Sequence, residues 1–192
     1  MNIETHKKNI YYPPGGILIW FLMILELFTF IGASMVFLYY KRDAQDEFKV
    51  GQEFLNKTIG TINTIILITS GYFIANAVHY MRLNNYRLAS IATKISLVLG
   101  ILFLIIKGLE FYQKISLGIG FEYSTFFTFY WLLTGFHFVH VLFGIGLLTY
   151  LILALKNKKY TSDNMFDLES IVTYWHMCDL IWILIFPILY LL

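Results

Sequence analysis

Apolar residues along the chain collect into five runs, each near or above the roughly 20 residues that a helix needs to cross a bilayer. They cover 16–40, 58–81, 92–112, 123–155 and 170–192, with short polar links between them. The fourth run is the longest, which predicts a helix that tilts or projects beyond the apolar slab. The first link, KRDAQDEFKVGQEFLNK, mixes both signs of charge and is expected to form a surface helix. The prolines, Pro13, Pro14 and Pro187, sit at or near the chain ends, so none interrupts a central span. No repeat, low-complexity segment or domain boundary breaks the pattern. The expected fold is all-α: an integral membrane bundle of five transmembrane helices, one domain over residues 1–192.

Composition sharpens this. Hydrophobic residues make up 58% and charged residues 14%, against about 25% charged in soluble domains. Aromatics reach 19%, and Trp and Tyr favour membrane interfaces. A single cysteine, Cys178, excludes an intramolecular disulfide, a multi-cysteine zinc site and a cysteine-ligated iron–sulfur cluster. The net charge of +2 gives no basis for binding nucleic acid. The opening MNIETHKKNIYYPPGG is polar and no small-residue cleavage motif follows, so the first run is expected to stay as an anchor. Lys7, Lys8, Arg82, Arg87, Lys94, Lys156, Lys158 and Lys159 fall on one side of the five-span arrangement. Lys41, Arg42, Lys49, Lys57 and Lys114 fall on the other. Positive loops stay in the cytoplasm, so a cytoplasmic N-terminus and an external C-terminus are expected.

Ionisable groups inside the spans cost roughly 2.5–3.5 kcal/mol each on insertion scales, so each needs a reason. They are Glu26, Lys107, Glu110, His137, His140, His176 and Asp179. Glu26 falls near mid-membrane and needs a partner or a bound proton. Three i,i+3 pairs share helix faces. Lys107 with Glu110 reads as a local ion pair near the outer interface, and His176 with Asp179 as an interhelical hydrogen-bond set. His137 and His140, beside Gly135, Gly144 and Gly146, read as hydrogen bonders where helices approach closely. The stretch WHMCD (175–179) holds copper-capable ligands, but successive helical side chains diverge by about 100° and cannot converge on one ion. Two haem ligands cannot come from His137 and His140 alone. His176 with either of them leaves a small haem b cytochrome as an alternative, and Glu26 with Asp179 a small transporter.

The stretch TGFHFVHVLFG (134–144) closely resembles the TGFHG-x-H-V-x-x-G signature of subunit III of haem–copper oxidases. The closing ESIVTYWHMCDLIW (169–182) is similar to that family's E-x-x-x-x-YWHFVD-x-x-W. Glu26 in LELFTF, NTIILITSG (63–71) and Glu110 in LEFY match further family features in the same order. The resemblance covers all five spans and is closest to the short bacterial form, which lacks the first two of seven helices. Phe138 replaces the usual glycine after His137, Met177 and Cys178 replace Phe-Val, and His79 stands alone where paired histidines are common.

This resemblance implies a non-catalytic accessory subunit with no catalytic, cofactor-binding or metal residues of its own. Haem and copper would belong to subunits I and II of an oxygen-reducing, proton-translocating oxidase. It implies packing beside subunit I, support of proton uptake, and a bacterial plasma (inner) membrane location. Subunits I and II are the expected partners, with subunit IV or a larger respiratory supercomplex as further candidates. Membrane lipid is also expected as a partner, and a structural phospholipid would need a neighbouring subunit to complete the family's lipid-filled cleft. Glu26 is the expected subunit contact. His79, Asp163, Asp167 and Glu169 at the cytoplasmic face form a candidate proton-collecting surface. A subunit-III-like protein of a nitric oxide reductase is the nearest alternative.

Overall fold

A computed structural model describes residues 13–161 and 164–192. Helix α1 spans Gly16–Asp43, α2 Gln45–Glu53, α3 Lys57–Arg82, α4 Tyr86–Ser116, α5 Thr125–Lys156 and α6 Phe166–Phe186. Five of them are long and apolar enough to cross a membrane, making the chain a multi-pass membrane protein. The short α2 is the surface helix anticipated in the first link. It buries Phe48 and Gly51 and exposes Asp46, Lys49 and Glu53.

Helices α3 and α4 start ahead of their apolar runs and α5 two residues inside its own, each at a capping side chain. Asn56 accepts from the Ile59 amide at 3.0 Å, Asn85 from Leu88 at 3.1 Å and Ser124 from Phe127 at 3.3 Å. Helix α4 extends past its run at both ends and reaches 31 residues, nearly matching the 32 of α5. At the other end Pro187 has no N–H to continue the ladder, and the last turn, Pro187–Leu191, widens to π geometry.

Helix α6 is the centre of the bundle. Its apolar window is 61% buried, against 22% for α1. It packs on α1, α3 and α5, while α4 bridges α3 and α5. Its indoles fill the middle: a Cβ on Gly100 or Gly144 would come within 2.6 and 2.8 Å of Trp175. Of the glycines expected at close approaches, Gly144 is one, whereas a Cβ on Gly135 or Gly146 would meet nothing within 4 Å. Those two glycines do not face a neighbouring helix.

The connections sort onto two ends. At one, Gly15 turns the chain into α1 with φ 74°, and its carbonyl accepts from Ser170 Oγ of α6 at 2.9 Å. Tyr86 donates to the Tyr160 carbonyl there at 2.9 Å. At the other end, Glu47 of α2 accepts from the Thr125 amide at 2.7 Å. Gln52 donates to the Leu189 carbonyl at 3.2 Å, and Lys114 reaches the Phe54 carbonyl.

Candidate functional site

Three groups of polar side chains lie within the spans and a fourth lies at their ends. The first joins α1 to α5. Glu26 Oε2 is 3.3 Å from His140 Nε2, and His140 Nδ1 is 2.8 Å from the Phe136 carbonyl. A carbonyl only accepts, so Nδ1 carries a hydrogen and Nε2 of neutral histidine is a lone pair. The contact with Glu26 is attractive only when the pair holds one further proton. Phe30 and Phe136 stack at 5.7 Å and present their rings edgewise to His140 at 5.8 and 4.7 Å. Glu26 thus has an internal partner four helices on in sequence.

His137 is one turn from His140 on the same helix but turns inward. Its ring stacks on Trp182 at 5.2 Å and meets Phe103 edgewise at 5.7 Å. The hydrogen bond expected of it is not formed: neither ring nitrogen has a partner among the described residues. Packing against aromatics, rather than polarity, places this ring.

Lys107 and Glu110 form the second group. The ion pair exists, with Nζ to Oε2 at 3.1 Å, and it is buried inside the bundle, the residues being 1% and 9% exposed. Lys107 Nζ also donates to Tyr190 Oη at 2.6 Å and Tyr130 Oη at 3.3 Å. Both tyrosines donate to Glu110 Oε1 at 2.7 Å. Rings of Phe111, Tyr130, Trp182 and Tyr190 lie 4.8–5.4 Å from the ammonium. The network ties α4, α5 and the C-terminal turn, and satisfies both charges where water is excluded. Sequence reasoning missed Tyr130 and Tyr190, since nothing in their spacing links them to Lys107.

The third group is His176 with Asp179. Nδ1 lies 3.2 Å from Oδ2, along α6 itself, so the bond is within one helix and not between helices as expected. Asp179 instead presses on α3: a Cβ on Gly71 would overlap its Oδ2. Asp179 Oδ1 has no hydrogen-bond partner among the described residues, and the His176 side chain is 40% exposed. The links between α3, α4 and α6 come from neutral groups. Trp175 donates to Ser70 Oγ at 3.1 Å, Ser70 to the Ser96 carbonyl at 2.9 Å, and Trp182 to Thr64 Oγ1 at 2.9 Å.

The fourth group lies at the membrane surface. Arg82 pairs with Glu169 and Lys159 with Asp167, each at 3.4 Å, and His79 is exposed at the end of α3. Its hydrogen bond to Tyr150 raises the Lys159 pKa. Burial, with the nearby Tyr150 and Asp167, pushes Tyr160 up to about 12. Asp163, and the Lys7 and Lys8 of the charge count, lie outside the described residues. Among the described residues no three His, Cys, Asp or Glu side chains group as a metal site.

These arrangements hold helices together. The family model for cytochrome c oxidase subunit III matches residues 16–192. Cytochrome c oxidase subunit 3 of Rhipicephalus sanguineus is 31% identical over 179 residues, covering 88% of this chain and 66% of that protein. The Spodoptera frugiperda protein of the same name is 32% identical, covering 69% and 88%. That of Struthio camelus is 32% identical, covering 67% and 48%. The chain therefore spans about half the length of several curated relatives that it matches. On the match that runs through all five spans, this chain belongs to the cytochrome c oxidase subunit III family.

Proposed function

We propose that the chain is the accessory subunit III of a terminal haem–copper oxidase in a bacterial plasma membrane. It packs beside subunit I, stabilises the assembly and supports proton uptake during turnover. The observation that carries this reading is the family match over residues 16–192. The geometry supports a supporting role. Lys107, Glu110, Glu26 and His140 satisfy one another inside the chain rather than lining a path. Helix α1, the least buried span, offers its flank to a neighbouring subunit. Glu26 keeps 23% of its side chain exposed beside His140, so a partner helix can reach it. Lysine placement favours a cytoplasmic N-terminus. That orientation puts His79, Asp167 and Glu169 on the proton-uptake side.

The test is purification in mild detergent through a tag on this chain, with mass spectrometry of everything retained and a visible spectrum. Retention of a haem-bearing subunit I and a subunit II, with no haem on the separated chain, supports the proposal. A chain that purifies alone and carries its own haem refutes it.

A further inference from the structure

At the end of the bundle that carries α2, the structure forms an open basin of about 610 Å³. Its walls bring together Lys41 and Arg42 from α1, Lys49 from α2 and Lys57 from α3. Residues 41–57 contain as many carboxylates as cations, yet the fold separates them. Glu53 alone of those carboxylates lines the cavity. Glu47 is turned away onto the Thr125 amide at 2.7 Å, and Asp46 with Glu47 lines the opposite flank of α2. Among the described residues none of the four cations lies within ion-pair distance of a carboxylate.

The cavity is built rather than a chance gathering of lysines. Gln52 donates to the Leu189 carbonyl at 3.2 Å and pins α2 to the C-terminal turn. Leu38 and Leu191 form the wall that continues into the apolar slab. Lys41 and Arg42 occupy the last turn of α1, where that helix leaves the membrane. Cations at this depth meet lipid phosphates, and the adjoining apolar wall suits an acyl chain. We propose that this basin binds the headgroup of an anionic phospholipid, its phosphate among the four cations and its acyl chain along Leu38 and Leu191. The site is independent of the oxidase assignment.

The experiment uses the full chain, purified in mild detergent with whatever it retains. Titrations with phosphatidylglycerol, phosphatidylcholine of the same acyl chains, and inorganic phosphate are read by native mass spectrometry. Phosphatidylglycerol is expected to bind selectively, and Lys49→Gln to weaken it about fivefold, as for one basic residue at a lipid surface. Lys49→Arg and the distant Arg87→Gln should leave it within about twofold. Binding to the unaltered chain should weaken as salt rises. Equal retention of the two lipids, or salt-insensitive binding, overturns the proposal. So does an unaltered affinity in Lys49→Gln that melts like the parent. Displacement of the lipid by inorganic phosphate at equal concentration would assign the basin to free phosphate and overturn the lipid as its ligand.

Discussion

His140 on α5 holds its Nε2 atom 3.3 Å from the carboxylate of Glu26 on α1. The least buried span is thereby tied by a polar contact to the interior of the bundle. His140→Ala should strand Glu26 near mid-membrane and loosen α1. A double-mutant cycle with Glu26→Ala should give a coupling of about 0.5–2 kcal/mol, in the range measured for polar contacts between membrane helices and buried pairs. Thermal melts in detergent measure it, and strictly additive single effects would remove the pair. Under the proposed function, Glu26→Ala should also lower the amount of the chain retained with its partners.

The Lys107 network predicts an asymmetry. Lys107→Met leaves Glu110 charged, buried and short of its cation, and should cost about 3–5 kcal/mol. Lys107→Met combined with Glu110→Leu should cost less than Lys107→Met alone, because no unpaired charge remains. Tyr190→Phe removes one donor to Glu110 and one acceptor for Lys107, and should cost about 1–3 kcal/mol. Denaturation of the three variants in detergent checks the order. A double variant less stable than Lys107→Met contradicts the account.

Glycine substitutions separate the close approaches from the open ones. Gly71→Ala drives a methyl into Asp179, and Gly144→Ala drives one into Trp175. Each should lower stability by about 1–3 kcal/mol. Gly135→Ala and Gly108→Ala meet nothing within 4 Å and should be neutral or slightly stabilising in a helix. Four melting curves decide it, and equal effects at Gly71 and Gly135 would contradict the packing.

Alkaline pH tests the surface group. Lys159 has a raised pKa, so its contribution is complete below its ordinary value of 10.5 and is lost as pH climbs through the folded value. Tyr160 rises from 10.0 to about 12, so folding favours its neutral form, and that contribution is lost between pH 10 and 12. Both act in one direction. Melting temperature should hold from pH 7 to about 10 as far as these two groups are concerned, then fall. The fall should be shallower in Lys159→Gln and in Tyr160→Phe. Identical alkaline slopes in all three proteins would rule the group out.

Sequence by itself determined the five spans, the surface helix after the first and the family. Apolar length and local motifs are properties of consecutive residues, and the bilayer requirement acts on them directly. It also singled out every ionisable side chain in the spans, because burying charge in hydrocarbon always needs a reason. Tertiary structure decided what those side chains touch. Tyr190 reaches Lys107 across 83 positions and Trp175 reaches Ser70 across 105, and no helical period carries information over such separations. It turned His137 into an aromatic contact, gave His140 to Glu26, and drew His176 onto its own helix. The basic basin likewise exists only once α1, α2 and α3 converge. In sequence its cations are interspersed with as many carboxylates, and only folding leaves Glu53 alone of these at the basin.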